Sequence, residues 1–293
     1  AVWVMVAAAL MWSIAGVVSR HLEAARSFEV TFWRSGFNAL ALVVLLSWLR
    51  GPAVLWQTLR KGGVALWVSG TCWGVMFTAF MVALTLTSVA NVLVTMSIGP
   101  LLTALMSRSV LGHKLHTRTW AAIALAGVGI TWMYGHEVSA GDARQVLGMA
   151  VALCVPIAAS VNWTLLQHLK NRHASGSASA DMLPAVLVGA LLSAGATLPL
   201  AMPFAASAQD LGLLAVLGVV QLAIPCLMAV AVSRVLSAPE ISLLGLLEVV
   251  FGVAWAWLGA GEAPSTAVIS GGLLVLGALA GNEVLALRSG ARG

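Results

Sequence analysis

Charged residues are scarce in this sequence: Asp, Glu, Lys and Arg make up only 9% of its 293 residues, whereas 60% are apolar. A soluble domain carries about 25% charged residues. So few charges cannot cover the surface of a 30.2 kDa particle in water. The composition therefore excludes a soluble globular domain and a disordered chain, and it indicates that lipid surrounds most of the protein surface.

The sequence also lacks the motifs of soluble enzymes and of ATP-driven pumps. No GxGxxG, Walker, HExxH or GxSxG pattern occurs, so ATP-driven transport and intramembrane metalloproteolysis have no support. A membrane span needs about 20 mostly apolar residues, and the chain therefore holds roughly ten spans with no room for a soluble catalytic domain. We expect no enzyme activity and no cofactor.

Cysteine is rare as well, and the three cysteines lie in apolar runs without a CxxC or a Cys/His ligand spacing. We therefore predict that Cys72, Cys154 and Cys226 serve packing and that the protein has no disulfide and no metal site. The net charge of +5 comes from basic residues scattered singly or in pairs. This distribution forms no nucleic-acid-binding face.

Apolar runs divide the chain into ten candidate spans, which predict an all-α integral membrane protein. The third and fourth runs are separated only by a short polar break, which requires a tight hairpin because about 45 residues exceed one crossing. The ten runs are Ala1–Ser19, Phe28–Leu49, Gly62–Leu86, Val89–Met106, Thr119–Tyr134, Val146–Leu166, Met182–Met202, Leu211–Val232, Ile241–Leu258 and Ala267–Leu287.

The distribution of Lys and Arg predicts the orientation of these spans. With the N-terminus in the cytoplasm, eleven of the 15 basic residues fall in cytoplasmic segments and three on the opposite side, namely Arg20, Arg26 and Arg144. The remaining one, Arg34, lies within a span. This bias predicts that both termini are cytoplasmic, in the inner membrane of the cell.

Short internal matches predict that the two halves of the chain are repeats. Residues 20–22 match residues 167–169 with an offset of 147, and residues 88–99 align with residues 237–248 with an offset of 149. Because five spans is an odd number, the second half is inverted in the membrane relative to the first. We therefore predict two repeats, residues 1–136 and 144–288, of the kind found in secondary transporters.

Several short motifs resemble the EamA domains of the drug/metabolite transporter superfamily, and together they extend over most of the chain. They are Phe32-Trp33-Arg34 with Ala39 and Leu40, Pro100, Leu111-Gly112, Leu244–Phe251 around Glu248, and Leu258-Gly259-Ala260-Gly261-Glu262. The resemblance implies ten helices in two inverted repeats, cytoplasmic termini and export of small metabolites. By overall character the chain is most similar to amino-acid exporters, including those of aromatic amino acids. One departure is His113, where the family usually has a Glu after the first Leu-Gly.

The most informative ionisable residue is Glu248, because it lies in the middle of the ninth span. A charge there costs about 2.5–3.5 kcal/mol on insertion scales, so the side chain must face a cavity or a partner or carry a proton. Glu248 is therefore a candidate for contact with a substrate amine and for proton coupling, and a structural hydrogen bond is the alternative. Arg34, near the start of the second span, is either an attractor for an anionic group or a structural residue, and we favour the structural role.

Polar and aromatic residues at mid-span supply the remaining candidates. Deep tryptophans suit a cavity wall, and prolines free backbone carbonyls in broken helices; plain helix packing is the alternative for each. The predicted substrate-binding residues are Trp12, Ser13, Trp73, Thr78, Asn91, Ser97, Asn162, Trp163, Gln221 and Glu248. The predicted helix breaks are Gly99, Pro100, Pro156 and Pro225.

These observations predict a secondary transporter that exports amino acids, aromatic or other apolar ones among them, and related metabolites by alternating access. Its expected partners are a small-molecule substrate and the lipid bilayer, with a monomer as the simplest oligomeric state. Efflux of multiple drugs or quaternary cations is the alternative, because aromatic residues around one acid would also suit a cation.

Overall fold

The computed structural model describes residues 1–25, 27–112, 142–174 and 181–290, together with 117, 120–122, 124–125, 127–129 and 132. Every regular element among these residues is a helix. Eight of the helical stretches are long and apolar enough to cross a membrane. They coincide with eight of the ten predicted spans, and the chain is a multi-pass membrane protein.

Shorter apolar helical segments lie where the fifth and tenth spans are predicted, Trp120–Gly129 and Thr266–Ala278, and the second is the first part of a helix that continues to Gly290. Part of the predicted fifth span, and also His113, falls outside the described residues. The count of ten spans therefore stays a prediction.

In the first half of the chain, six helices have well-defined bounds: α1 Val2–Ser19, α2 Ser27–Arg50, α3 Pro52–Lys61, α4 Val64–Leu86, α5 Val89–Met96 and α6 Gly99–Leu111. In the second half they are α7 Ala143–Ala152, α8 Cys154–Ala174, α9 Leu183–Ala201, α10 Ala208–Val216, a π-helical segment Leu217–Ala223, α11 Ile224–Val232, α12 Ala238–Ala260 and α13 Thr266–Gly290. α1 packs against α12, and α9 packs against both α2 and α4.

Three of the spans are interrupted near their middle. The fourth divides into α5 and α6 around Ser97, with Pro100 in the first turn of α6. The sixth divides into α7 and α8 at Leu153, three residues before Pro156. The eighth contains the π-helical segment, which ends just before Pro225. A proline cannot donate the backbone hydrogen bond that a continuous helix requires, which accounts for a proline next to each irregularity.

The polar segment between the second and third spans contains a short helix, α3. Gly51 makes the turn into it with a φ of 84°, and Pro52 occupies its first position, where no backbone donor is needed. The helix is amphipathic: Leu55 is buried, whereas Trp56 is 65% exposed. The polar composition of this segment predicts only that the second span ends here. It does not show whether the segment forms a loop or a short amphipathic helix, because both have such a composition.

Polar contacts join residues that lie at or beyond the ends of different helices. In a first group Arg20 Nε donates to Glu262 Oε2 at 3.0 Å, and Arg144 donates to the Thr85 carbonyl at 2.8 Å. In a second group Asp181 lies 3.6 Å from Arg50 and 3.3 Å from Arg234. All residues of the first group belong to the predicted non-cytoplasmic side, and those of the second group to the predicted cytoplasmic side.

The tryptophans fall into two groups by their exposure: some lie inside the bundle, and others lie on its outer surface. Trp73 and Trp163 are 3% and 6% exposed, and Trp12 is half-buried. Eight others are exposed on the surface that would face lipid and its interfaces: Trp3, Trp48, Trp56, Trp67, Trp120, Trp132, Trp255 and Trp257. Exposed tryptophans of this kind suit a membrane interface, where the ring is apolar and its N–H is wet.

Candidate binding cavity

A cavity of about 140 Å³ lies in the middle of the bundle. Its walls come from α1, α2, α4, α5 and α6 in the first half of the chain and from α8, the π-helical segment, α11 and α12 in the second half. The ligand sites of helical bundles are built from side chains on facing helices. This cavity is therefore the candidate functional site.

The structure brings together half of the predicted substrate-binding residues at the cavity wall. Three of the four predicted helix breaks lie there too, so the irregular backbone of the fourth and sixth spans faces the cavity. The predicted residues that line it are Trp12, Trp73, Trp163, Gln221, Glu248, Gly99, Pro100 and Pro156.

An aromatic wall forms one side of the cavity. The Trp73 ring lies 5.6 Å from the Phe77 ring and 5.6 Å from the Trp163 ring, and it is perpendicular to Trp163 with an interplanar angle of 88°. Met76 and Phe80 continue the wall along α4. Residues three and four apart share one face of a helix, so the spacing of these side chains in α4 places all of them toward the cavity.

Arg34 enters the same cavity from α2 and is 2% exposed. Its Nε and Nη2 donate to one acceptor, Gln221 Oε1, at 3.2 and 2.8 Å. The Gln221 amide in turn donates to the Trp12 carbonyl at 3.1 Å. The guanidinium carbon lies 5.7 Å from the centre of the Phe80 ring, close enough for a cation–π contact. These contacts hold the guanidinium in one orientation.

Glu248 faces the cavity from the middle of α12. Gly245 lies three residues before it on the same face of the helix, and its missing side chain leaves open space beside the carboxylate. Within the described part of the chain, Glu248 has no ion pair with Arg34 closer than 4.0 Å. One cation and one anion therefore line the cavity without neutralising each other directly.

The other predicted residues make contacts outside the cavity wall. Ser13 donates at 2.6 Å to the Leu10 carbonyl in its own helix, and Ser97, directly after α5, donates at 2.6 Å to the Val94 carbonyl. Asn162 accepts from Ser69 at 2.6 Å, and Thr78 is hydrogen-bonded to Ser193 at 2.8 Å.

Asn91 and Pro225 complete the set of predicted residues. The Asn91 amide donates to Thr87 and Gln145 at 2.9 and 3.0 Å near one end of the bundle. Pro225 is buried in the first turn of α11, directly after the π-helical segment.

Arg34, Met76 and Phe80 are cavity residues that were absent from the predicted set of substrate contacts. For Arg34 the sequence left an anion-attracting and a structural role open, with the structural role favoured, and it gives no indication that Gln221, 187 positions later, is its partner. The run of large side chains at positions 73, 76, 77 and 80 carries a helical period that would have indicated one face of α4. In the part of the chain that the structure describes, no three His, Cys, Asp or Glu side chains are placed to hold a metal ion.

Comparison with known families adds to this geometry. Residues 1–135 match the EamA-like transporter family. This stretch is therefore an EamA-like domain of the drug/metabolite transporter superfamily, and the match indicates a membrane transporter rather than an enzyme. It implies a small-molecule substrate and contact with membrane lipid.

A solved structure described as "Crystal structure of protein" is similar to almost the whole chain. The TM-score is 0.66 with 20% sequence identity, covering 98% of this chain and 97% of that chain. At this identity the likeness shows the fold alone. Comparison with curated proteins gives no significant match.

Proposed function

We propose that the protein is a secondary transporter that exports amino acids, aromatic or other apolar ones among them, and related small metabolites by alternating access. The observation that carries the proposal is the central cavity, whose walls come from both halves of the chain and combine an aromatic surface with a carboxylate. A site between two halves is what alternating access requires, because rocking of one half against the other exposes the same site to each side in turn.

We further propose that residues 1–136 and 144–288 are inverted repeats. Helix starts and ends with the same geometry recur at an offset of 149 and support this. Ser88 and Ser237 both lie immediately before the first residue of a helix, and Gly112 and Gly261 both end a helix in the left-handed conformation, with φ of 71° and 65°. If the two halves are inverted repeats, the state open to one side of the membrane and the state open to the other side would have related geometries.

A cation at the end of the first span of each half supports the same symmetry. Arg20 Nη2 donates to the Thr87 carbonyl at 3.0 Å, just before α5. Lys170 Nζ donates to the Leu236 carbonyl at 3.4 Å, just before α12, and Leu236 follows Thr87 by 149 positions. In our proposal these two contacts lie on opposite sides of the inner membrane, with Lys170 and both termini in the cytoplasm.

The broken helices supply the candidate hinges. Gly99, Pro100 and Pro156 meet where α6, α8 and α12 surround the cavity: a side chain on Gly99 would lie 3.6 Å from Ser242 and 3.7 Å from Pro156. Pro225 follows the π-helical segment of the eighth span. We propose that movement of the halves is absorbed at these interruptions, since their backbone hydrogen bonds are already incomplete.

Counterflow in liposomes tests the transport proposal. Purified protein is reconstituted with an unlabelled amino acid inside, and uptake of labelled leucine or phenylalanine is measured against empty liposomes. We expect uptake that saturates with substrate. No amino-acid flux, together with strong flux of tetraphenylphosphonium, would overturn amino-acid export in favour of cation efflux.

Cation efflux is the second candidate because Glu248 shares the cavity with Trp12, Trp73 and Trp163, a combination that would also hold a hydrophobic cation. Glu248 is in addition the candidate for proton coupling. The Glu248→Gln protein should lose the dependence of transport on pH, and an unchanged dependence would remove the coupling role while leaving export itself open to substrate-driven exchange.

A further inference from the structure

Among the described residues, two buried N–H groups at the cavity wall have no hydrogen-bond acceptor. They are Arg34 Nη1 and Trp73 Nε1, and neither has a partner among the described residues. A buried donor without an acceptor is unfavourable, since it has lost its bonds to water. Both side chains line the cavity, so the arrangement calls for an acceptor that enters the cavity.

The Glu248 carboxylate is near enough to Arg34 for an electrostatic interaction, but among the described residues it has no ion pair closer than 4.0 Å. Glu248 lines the same space as Arg34, but no described ion pair joins them. Two opposite charges in a low-dielectric cavity are poorly stabilised when each lacks a directly paired group. A ligand that carries a negative group toward Arg34 and a positive group toward Glu248 would satisfy both.

We propose that Arg34 and Glu248 form a two-point receptor for the zwitterionic head of an amino acid. Arg34 Nη1 donates to the α-carboxylate of the ligand, and Glu248 accepts from its α-ammonium group. This proposal rests on the function proposed above and specifies the substrate class: zwitterions with both charged groups on one carbon and an apolar side chain. The side chain then contacts the aromatic wall formed by Trp73, Phe77 and Phe80.

Gln221 is a positioning residue in this receptor. Its Oε1 accepts from both Nε and Nη2 of Arg34, while its own amide is anchored on the Trp12 carbonyl. The guanidinium therefore keeps one edge on the protein and leaves Nη1 for the ligand. A planar guanidinium held in this way recognises carboxylates with defined geometry.

The proposal predicts how the protein discriminates between analogues of one amino acid. Leucinamide keeps the ammonium and lacks the carboxylate, isocaproate keeps the carboxylate and lacks the ammonium, and isoamylamine keeps only the amine. Each analogue leaves one buried charge unsatisfied, so each should bind at least about tenfold more weakly than L-leucine, as expected for loss of one charge-assisted hydrogen bond.

Direct binding to the purified wild-type protein tests this, by calorimetry and by quenching of tryptophan fluorescence with the four compounds. L-leucine at least tenfold tighter than every analogue supports the receptor. Binding of leucine and leucinamide within twofold of each other overturns the role of Arg34, and the same result for leucine and isocaproate overturns the role of Glu248. These measurements need no variant, so a misfolded mutant cannot obscure them.

Variants of the two residues then test which charged group of the ligand each residue binds. Arg34→Gln should weaken leucine binding about tenfold or more while leaving isoamylamine within twofold, and Arg34→Lys should restore part of the loss. Glu248→Gln should weaken leucine and leave isocaproate within twofold. Arg60→Gln and Glu23→Gln remove the same charges from exposed positions and should change nothing. Equal weakening of all compounds by Arg34→Gln would mean that Arg34 only supports the fold.

Counterflow separates this proposal from the proposed export function. Leucine that binds selectively but does not cross liposomes would leave the receptor standing and overturn export. Transport of leucine and leucinamide at equal rates, with equal binding, would leave transport standing and overturn the receptor.

Discussion

Gly218 lies where the π-helical segment touches α2, and a methyl group at this position should disturb both the bundle and the cavity. A Cβ on residue 218 would lie 2.6 Å from Phe37 Cβ, 2.7 Å from the Arg34 carbonyl oxygen and 2.8 Å from Asn38 N. Two of these three atoms are backbone atoms, which no change of rotamer can move. α2 would have to retreat by about 0.8 Å before the closest of these distances reached ordinary van der Waals contact.

The expected cost of Gly218→Ala follows from this crowding. Overpacking of a well-packed interior costs about 1–3 kcal/mol, and the helix propensity of alanine returns at most about 1 kcal/mol. A net destabilisation of up to about 2 kcal/mol remains. Because the atoms that must move include the backbone of Arg34, the hydrogen bonds from Arg34 to Gln221 should lengthen, and ligand binding should weaken together with stability.

Thermal unfolding in detergent, followed by tryptophan fluorescence, measures the first effect, and leucine binding measures the second. Gly212→Ala is the matched control, since it lies in α10 six residues earlier with open space around it. We expect Gly212→Ala to be as stable as the wild type or slightly more stable. Equal unfolding temperatures and equal leucine affinities for the two variants would refute the argument from close packing at residue 218.

Three further predictions concern the ends of the bundle. Glu262→Gln should destabilise the protein by about 1 kcal/mol in thermal unfolding, because its carboxylate accepts the Val89 N–H at 2.7 Å and a neutral amide would keep only the weaker form of this bond; Glu23→Gln serves as the exposed control. Gly261→Ala should cost about 1 kcal/mol in the same measurement, because its φ of 65° disfavours a side chain, and no loss would contradict the left-handed helix end. Asp181→Asn should change stability by less than about 1 kcal/mol, since Arg234, its partner at 3.3 Å, has a side chain that is 52% exposed; a large loss that persists in high salt would show a stronger role.

The positions of eight of the spans could be predicted from the sequence. Transfer of a helix into lipid depends on the summed hydropathy of about 20 consecutive residues and hardly on its neighbours. For this reason eight long helices coincide with predicted runs. The helix α3 was not predicted, because ten amphipathic residues are too short for that criterion.

The candidate site was predictable only in part, since a polar residue in the middle of a span has more than one way to satisfy its hydrogen bonds. Ser13 and Ser97 bond to backbone carbonyls three residues earlier, an option that a Ser within or at the end of a helix has. The deep tryptophans Trp12, Trp73 and Trp163 were predicted to line a cavity, and all three do so in the structure. A tryptophan ring far from the membrane interface has fewer possible environments than a serine or threonine hydroxyl, so its position was easier to predict.

The amino-acid sequence by itself determined that lipid surrounds the protein, which segments are apolar enough to span the membrane, and that Glu248 is a carboxylate in the middle of a span. Each of these depends on local composition. Only the tertiary structure decided which charged and polar groups meet. Arg34 and Gln221 come together because Gly218 lets α2 approach the π-helical segment at backbone distance. Glu248 lines the same cavity as Arg34, and no described ion pair closer than 4.0 Å joins the two. Such contacts depend on the rotation and spacing of helices far apart in the chain, which hydropathy does not encode.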